Sequence, residues 1–329
     1  MSTSVRAVKY YAYNDIRLEQ GPLPTIGDHE LLVRVHGCGL CGSDILKIVQ
    51  QAPPPVVLGH ELTGEIVERG KAVSSFSVGQ RVIVAHHAPC GACHYCRHQN
   101  YSMCATFKTS NIDPGGFAEY IRVPALLVEQ TTLALPPSLD AEAASFVEPL
   151  ACCLRAVKRT PLLAGDTVVV VGLGSIGLLM IQAVRAITEG QTQVYGIDFL
   201  PERLQLAREL GATQVFEAPP DEQGLRTLLN PLTDGRGADA VILTVPGARP
   251  FNQAFASVRK GGTIQIFAAH TGAVPLNIET IYQQELSILS TYSSSPVELQ
   301  QALGYLAAGQ VRVKSLISHR LPLEDFHEG

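Results

Sequence analysis

The stretch Val168-Val169-Val170-Val171-Gly172-Leu173-Gly174-Ser175-Ile176-Gly177 decides the fold. Its four valines predict a buried strand, and the apolar run after the glycines predicts a helix. The pattern Gly-x-Gly-x-x-Gly between a strand and a helix is typical of a dinucleotide-binding turn. In such a turn Gly172 permits the tight bend, Gly174 lets a pyrophosphate approach, and Gly177 lets the helix meet the strand. The N-terminus of the helix would then face the phosphates.

Strands and helices alternate on the C-terminal side of this turn. That alternation is the pattern of βαβ units, so we predict an α/β fold with a doubly wound parallel sheet. The predicted strands span 167–171, 194–197, 240–245, 262–267 and 286–291, and the predicted helices span 176–188, 201–210, 250–258 and 296–309.

The N-terminal side of the chain has a different pattern. Short stretches at 31–35, 64–68 and 81–84 alternate apolar and polar residues and are separated by Gly and Pro, which predicts half-buried strands. We therefore predict a β-rich domain at 1–150 and a dinucleotide-binding domain at 151–295. A C-terminal segment at 296–329 is expected to return to the first domain.

Asp198 ends the second strand of the predicted parallel sheet. An acid at this place binds the ribose hydroxyls of a dinucleotide and repels a 2′-phosphate, which favours NAD over NADP. Arg203 follows shortly after, and a nearby Arg can accept that phosphate. We expect NAD as the cofactor, with NADP as the weaker alternative.

The composition excludes several classes of function. The 329 residues include 25 Lys and Arg against 30 Asp and Glu, which is a net charge of −5. Such a chain lacks the basic surface that binds nucleic acid or an anionic membrane. Residues 1–15 contain no apolar secretory core, and no apolar run reaches the roughly 18–20 residues of a membrane helix. We expect a cytoplasmic protein with neither nucleic-acid nor membrane partners.

Half of the eight cysteines form one cluster: Cys90, Cys93, Cys96 and Cys104. In a reducing compartment such spacing favours a metal over disulfides. Four thiolates complete the tetrahedral shell of a zinc ion and leave no position for a substrate, so the predicted site is structural and lies in a lobe at about 88–106. His94 and His98 lie inside the cluster, and we interpret them as surface residues because four sulfurs already fill the shell.

A second set of metal-ligating side chains is dispersed along the chain. Cys41 opens the run Cys41-Gly42-Ser43-Asp44, His60 and Glu61 follow Gly59, and Glu148 precedes Pro149. Mixed sulfur, nitrogen and oxygen ligands can leave one zinc position open for water or substrate. That arrangement is the one found in catalytic zinc sites.

Together these motifs resemble one family, the zinc-containing medium-chain alcohol dehydrogenases. The motifs that occur in the same order in that family are Cys41-Gly42-Ser43-Asp44, Gly59-His60-Glu61, the four clustered cysteines, Gly115-Gly116-Phe117-Ala118-Glu119-Tyr120 and Glu148-Pro149. Within the family the chain resembles the sorbitol (polyol) and threonine dehydrogenase branch over nearly its whole length. The resemblance implies a GroES-like catalytic domain joined to a Rossmann domain.

The resemblance also implies roles for single residues. Cys41 and His60 would be ligands of the catalytic zinc, and Glu61 and Glu148 would ligate it directly, through water or in exchange. Ser43 would take the proton of the substrate. Use of a Glu in place of a second Cys is a feature of the polyol branch. Besides the three glycines, Asp198 and Arg203, the residues implied to line the cofactor are Ile176, Phe267, Ala268, Thr291 and Tyr292, for which ordinary packing at strand ends is the alternative.

Three further cysteines have a competing interpretation. If Pro149 opens a helix, Cys152 and Glu148 lie on one face, and either could ligate the zinc. We favour Glu148, because the position before the Pro matches the family. Cys152, Cys153 and Cys38 are then interpreted as packed core residues, since free Cys is commonly buried.

Two features depart from the family's pattern. Leu46 stands where many relatives carry a His that passes the proton of the serine towards solvent. Our hypothesis is that the proton leaves through a ribose hydroxyl and water, or that the natural substrate differs. The sequence also ends at Gly329, before the family's last helix and strand, so the returning segment at 296–329 is expected to be cut short.

These patterns predict a zinc-dependent oxidoreductase that transfers a hydride from a secondary alcohol or polyol to NAD, with two zinc ions per chain. The alternatives are a threonine-type dehydrogenase, a zinc-free reductase of the same superfamily, and a catalytically silent relative that binds zinc and a nucleotide. A homodimer or homotetramer is expected by analogy, because the strand at 286–291 pairs with its own copy in relatives.

Overall fold

The computed structural model describes residues 4–51, 53–54 and 56–329. The chain divides into two compact units. Unit 1 contains the described residues up to Pro149 together with Ser295–Ala308 and Ile317–Gly329, and unit 2 contains Leu150–Ser294 with Gly309–Leu316.

Strands occur in both units. In chain order they are β1 (Ser4–Ala12), β2 (Asp15–Pro22), β3 (Leu31–Gly39), β4 (Val56–Val57), β5 (Glu61–Arg69), β6 (Arg81–Val84), β7 (Tyr120–Val123), β8 (Thr132–Ala134), β9 (Thr167–Val171), β10 (Gln193–Asp198), β11 (Gln214–Glu217), β12 (Ala238–Leu243), β13 (Val258–Ile266) and β14 (Ser287–Ser290).

The helices are mostly short in unit 1 and longer in unit 2. They are α1 (Gly42–Val49), α2 (His94–Arg97), α3 (Ala105–Thr109), α4 (Ala125–Gln130), α5 (Ala141–Ala144), α6 (Val147–Arg159), α7 (Ser175–Ile187), α8 (Pro201–Glu209), α9 (Gly224–Leu229), α10 (Ala248–Ser257), α11 (Ile278–Gln283) and α12 (Pro296–Ala307). Within the described ranges no helix combines the length and the apolar character needed to cross a membrane.

Unit 1 is built on antiparallel sheets. Three strands pair in the order β2-β1-β4, and five pair in the order β7-β3-β5-β6-β8. The stretches predicted as half-buried strands lie in β3, β5 and β6, which confirms that prediction. Their inward residues, among them Leu31, Val33, Ile66 and Val82, form the core of this unit with no more than traces of exposed surface.

Unit 2 contains a six-stranded parallel sheet in the order β11-β10-β9-β12-β13-β14. Every residue of β9 is buried, and β9 pairs with β10 on one side and β12 on the other. The order of strands reverses beside β9, as in doubly wound dinucleotide-binding folds. The predicted α/β fold is therefore confirmed, and the carboxyl ends of these strands meet at one edge of the sheet.

Some predicted boundaries are wrong by a few residues. Val258 was placed at the end of a helix, but it begins β13 and pairs with Ala238. It is β-branched and buried, which favours a strand. Phe267 and Thr291 were placed inside strands, but they lie just past β13 and β14. The N–H groups of Phe267 and Ala268 both bond to the carbonyl oxygen of Leu243, at 3.0 Å and 3.1 Å, so the ladder with β12 ends here.

Candidate active site

Four cysteine thiols come together between β6 and β7. Their sulfur atoms all lie within 4.8 Å of one another. The sulfur of Cys96 is 3.5 Å from that of Cys93 and 4.0 Å from that of Cys90. Tetrahedral zinc with Zn–S bonds of about 2.3 Å separates its sulfurs by about 3.8 Å. The donor set and its spacing therefore fit a closed zinc site.

The backbone of this lobe favours thiolates. The N–H of Cys90 lies 3.4 Å from the sulfur of Cys104, and the N–H of Cys93 lies 3.4 Å from the sulfur of Cys90. Burial opposes ionisation of Cys104, but N–H groups of Cys90 and Phe107 outweigh it and lower the pKa of Cys104 to about 6. Because the thiolate is the form that binds zinc, the backbone prepares the sulfurs of Cys90 and Cys104 for a metal, whereas burial raises the pKa of Cys96.

A second ligand set gathers at the start of α1 and β5. Cys41 immediately precedes α1, Glu61 opens β5, and His60 precedes it. One ligand atom from each of the three lies within 4.8 Å of the others. The antiparallel pairing of β3 with β5 sets Gly39 opposite Glu61, and this register brings Cys41 to the pair.

His60 is buried and is held by Asp44. Its Nδ1 lies 3.4 Å from Oδ1 of Asp44, a carboxylate that also accepts from the N–H groups of Gly59 at 3.2 Å and Cys41 at 3.3 Å. A carboxylate behind one ring nitrogen orients the other nitrogen towards a metal. Burial disfavours the charged ring, but Asp44, Cys41 and Glu148 outweigh it and raise the pKa of His60 to about 11. The site therefore favours a positive charge.

Glu61 and Glu148 contribute to this site in different ways. A carboxylate oxygen of Glu61 belongs to the three-residue ligand group, whereas Glu148, in the first turn of α6, lies outside that group. The pKa of Glu61 is raised to about 7, mainly by burial and secondly by the negative charge of Glu148. When two carboxylates disfavour each other's ionisation, a bound cation stabilises the ionised form of both.

Ser43 lies beside the ligand atoms. Its hydroxyl is 3.3 Å from the sulfur of Cys41 and 3.4 Å from Nε2 of His60. Zinc bound by Cys41, His60 and Glu61 would have three protein ligands, which leaves the fourth tetrahedral position for water or substrate. The donor chemistry thus fits an open zinc site, with a hydroxyl at its edge.

The three remaining cysteines differ in burial. Cys153 is fully buried, and its thiol lies 3.9 Å from the carbonyl oxygen of Ile176. Cys152 is half-buried beside it. Cys38 packs against the core of unit 1, and burial raises its pKa well above the usual range. Neither of the two ligand groups found among the described residues includes these three thiols.

The glycine turn joins β9 to α7 in unit 2. Gly172 has a φ of +90°, and a Cβ there would lie 2.3 Å from the side chain of Val245. A Cβ on Gly177 would lie 1.9 Å from the carbonyl oxygen of Gly172, so a larger residue would separate helix from strand. A Cβ on Gly174 would meet nothing within 4 Å. The space in front of α7 is therefore open, and the helix N-terminus can receive an anion there.

Asp198 ends β10 next to this turn and is buried. Its Oδ2 accepts from the N–H of Leu173 at 2.6 Å, and its Oδ1 accepts from the N–H of Leu200 at 3.0 Å. The guanidinium of Arg203 lies 3.6 Å from Oδ2 and is 45% exposed. The carboxylate is thus fixed at the place where doubly wound folds bind a ribose.

The other predicted cofactor residues lie at the same edge of the sheet. Ile176 is half-buried in the first turn of α7. Phe267 and Ala268 follow β13, and Thr291 and Tyr292 follow β14. Because the strands are parallel, their carboxyl ends bring these residues to the edge that carries the glycine turn.

Three residues at these sites were not found from the sequence. Asp44 supports His60, and the sequence contained it in the motif Cys41-Gly42-Ser43-Asp44 without indicating this role. Thr244 donates its hydroxyl to the carbonyl oxygen of Gly172 at 2.7 Å, and no motif marks it. The ring of His86 lies 4.4 Å from that of His60, and its only signal was a pair of histidines after a strand.

Two family models match this chain. One, described as the alcohol dehydrogenase GroES-like domain, matches residues 27–133. The other, described as zinc-binding dehydrogenase, matches residues 175–308. The first match runs from before β3 into β8 and contains both ligand groups, and the second contains most of the parallel sheet.

Several characterised proteins and structures are similar over almost the full length. A sorbitol dehydrogenase of Halalkalibacterium halodurans is 34% identical over 94% of this chain and 90% of its own. A D-arabitol-phosphate dehydrogenase of Enterococcus avium is 31% identical over 100% of this chain and 94% of its own. A zinc-binding dehydrogenase structure from Sinorhizobium meliloti, bound to NADP, superposes with a TM-score of 0.89 at 30% identity, over 99% of this chain and 95% of its own.

Proposed function

The chain belongs to the zinc-containing medium-chain alcohol dehydrogenase family, and from this premise we propose that it oxidises a secondary alcohol or a polyol with NAD. The relatives named as sorbitol and D-arabitol-phosphate dehydrogenases support a polyol. Two zinc ions per chain are proposed, a structural one in the four-cysteine lobe and a catalytic one held by Cys41, His60 and Glu61.

One observation carries this proposal. Ligand atoms of Cys41, His60 and Glu61 converge within 4.8 Å at a place where the carboxylates of Asp44 and Glu148 favour positive charge. Three ligands of mixed type, with a hydroxyl beside them, are the donor set of a zinc centre that keeps a position for a substrate. Glu148 is proposed to balance charge and to exchange with Glu61 as a ligand.

The chemistry that the two groups supply when bound is Lewis-acid activation of an alcohol by zinc and acceptance of a hydride by the nicotinamide. The protein's own contribution begins with Asp44, which holds Nδ1 of His60 at 3.4 Å and so fixes the direction of Nε2. The Ser43 hydroxyl, 3.4 Å from Nε2, is proposed to accept the hydroxyl proton of the alcohol. In unit 2 the glycine turn and Asp198 are proposed to hold the pyrophosphate and the ribose.

The proton's further route is proposed to avoid residue 46. Leu46 is half-buried in α1 and has no group that exchanges a proton. A ribose hydroxyl and water are therefore proposed to carry the proton from Ser43. Replacement Leu46→His would shift the pH–rate profile if this position could take part in the relay, and an unchanged profile would show that it cannot.

NAD is proposed over NADP because of Asp198. Its carboxylate is buried and held by two backbone N–H groups, so it remains in place to meet a ribose. A 2′-phosphate would meet this negative charge, and Arg203 would have to compensate for it. The NADP in the Sinorhizobium meliloti structure makes the ratio of kcat/KM for NAD and NADP the measurement that decides this point.

A metal determination combined with a substrate screen tests the whole proposal. The purified chain is expected to contain two zinc ions and to reduce NAD with sorbitol, xylitol or a simple secondary alcohol. L-threonine is included, because activity with it alone would favour the threonine-type alternative. One zinc without turnover would favour a silent nucleotide-binding relative, and turnover without zinc would favour a zinc-free reductase.

A homodimer or homotetramer is also proposed, through β14. This strand lies at the edge of the six-stranded sheet, where its outer N–H and C=O groups can pair with a second copy. Light scattering at micromolar concentration would test this proposal, and a monomer would contradict it. A cytoplasmic location is proposed because all eight cysteines are free thiols.

A further inference from the structure

His86 carries a buried nitrogen without a hydrogen-bond partner. In the part of the chain that the structure describes, its Nδ1 is the one enclosed side-chain nitrogen or oxygen for which no partner is found. The ring lies just after β6, and its centroid is 4.4 Å from that of His60. Buried polar groups are nearly always bonded, because an unpaired one costs free energy. An unpaired nitrogen beside a candidate zinc ligand therefore points to a ligand that supplies the missing bond.

His87 holds the ring of His86 in place. Nδ1 of His87 lies 2.5 Å from the carbonyl oxygen of Ser110, and its ring packs 5.1 Å from that of Phe107. On its other side it packs 3.8 Å from His86. His86 is thus braced between His87 and His60. A half-turn of its ring about Cβ–Cγ exchanges the positions of Nδ1 and Cδ2 and leaves the ring plane and both tilted contacts unchanged, so either position can carry the nitrogen.

The ring of His86 lies between two other imidazoles, that of His60 on one side and that of His87 on the other. An uncharged imidazole offers one donor and one acceptor nitrogen. A hydroxyl group offers the same pair of functions, so it is a suitable partner for this ring.

We propose that His86 forms a hydrogen bond with a second hydroxyl of the alcohol, next to the hydroxyl that is oxidised, and so selects polyols over simple secondary alcohols. This inference rests on the proposed function, because it assigns a substrate class to the same site. A pocket that bonds a substrate hydroxyl rejects an analogue without it, since the pocket's own polar group is then left unpaired.

The test compares two substrates that differ by one hydroxyl, 2,3-butanediol and 2-butanol, in the zinc-loaded full chain with NAD. His86→Phe keeps an aromatic ring at this place but removes both nitrogens, and it is expected to lower the diol-to-alcohol ratio of kcat/KM by roughly 10- to 100-fold. His86→Asn restores a polar atom near the place of Nδ1 and should recover part of the ratio. His36→Phe is the control, because His36 is an exposed histidine that faces Glu65, and the ratio should stay unchanged. An unchanged ratio in His86→Phe would overturn the inference.

A second measurement separates this inference from the proposed function. The imidazole nitrogens of His86 are followed by NMR in zinc-loaded protein while 2,3-butanediol or 2-butanol is added. The diol is expected to shift these signals and the simple alcohol is not. If the wild-type chain oxidises neither alcohol, the proposed function fails, but a diol-dependent shift still supports the role of His86. Signals that respond to neither alcohol, or equally to both, would overturn it.

Discussion

The four-cysteine lobe takes all its sulfur atoms from residues 90–104, whereas the open site joins Cys41 to His60 and Glu61 across the β3–β5 pair. The lobe offers four sulfurs of one kind, and backbone N–H groups support them. The open site offers sulfur, nitrogen and oxygen, and its supports are side chains: Asp44 behind His60, and Glu148 near Glu61. The two proposed zinc sites are thus built by different means.

Because of this difference, we expect the four-cysteine lobe to contribute to stability and the open site to contribute to the reaction. A metal with four protein ligands has no position for a substrate, so its binding free energy can only hold the lobe together. A metal with three protein ligands gives up part of that binding free energy and keeps a position for an alcohol. The supporting side chains at the open site then matter, because they fix the direction of ligands that come from separate elements.

Cys41→Ser should have the largest effect. Serine can still cap α1, so the helix start is preserved while the sulfur ligand is lost. Zinc contributes several kcal/mol to such a reaction, so we expect kcat/KM to fall by at least about 1000-fold. Metal analysis should find one zinc ion instead of two. Cys38→Ala is the matched control, a nearby thiol outside the ligand group, and it should keep both ions. Retention of two ions by Cys41→Ser would contradict the assignment of this ligand.

Cys96→Ser should have the opposite result to Cys41→Ser, a loss of stability with little change in turnover. Cys96 is buried with Phe107 in the small core of the lobe, so loss of its sulfur removes the ion and loosens the packing around it. We expect the free energy of unfolding to fall by about 3 kcal/mol or more, as for other losses of a structural metal. Thermal unfolding followed with zinc analysis measures this. The turnover of the molecules that remain folded should stay of the same order. If the variant were fully folded but had no turnover, the lobe would have to take part in the reaction.

The same difference explains what the sequence could predict. The four cysteines of the lobe could be grouped from the sequence, and the structure does bring their sulfurs together, because they are close along the chain. The glycine turn and the parallel sheet were predicted for the same reason, since each motif is contiguous. The open site depends on the register of β3 with β5, which shifts twice, between Leu32 and Val33 and between Val35 and Gly37. No local pattern specifies such irregularities, so the residue types suggested a mixed ligand set and only the resemblance assigned a role to each residue.

Supporting residues were the hardest to predict. Asp44 and His86 act on His60 through tertiary contacts of 3.4 Å and 4.4 Å, and neither belongs to a metal-ligand pattern of its own. Strand ends were also misplaced, as at Val258, because the pairing partner and burial decide where a ladder begins. Contiguous motifs therefore predict the scaffold well, and the residues that orient the ligands need the structure.

Asp44→Asn should have an intermediate effect that is confined to the open site. The amide keeps the shape and can still accept from the N–H of Gly59, but it removes the negative charge behind His60. Loss of such a support lowers metal affinity or activity by roughly 10- to 100-fold. Competition with a chelator, followed by zinc release, should show one weakened ion and one unchanged. Glu142→Gln, at an exposed ion pair with Arg320, is the control. Equal weakening of both ions would mean that Asp44 supports the whole fold instead.

The double replacement His94→Ala with His98→Ala should have the smallest effect. Both imidazoles are exposed on the lobe, with centroids 4.2 Å apart, and Nδ1 of His98 lies 2.8 Å from the carbonyl oxygen of His94. If four sulfurs fill the shell, neither ring is a ligand, and the free energy of unfolding should change by no more than about 0.5 kcal/mol. Both zinc ions should remain. His60→Ala, which removes an imidazole from the open site, should lose one ion. Loss of zinc from the double variant would show that the lobe is not closed by its cysteines alone, and the contrast between the two sites would fail.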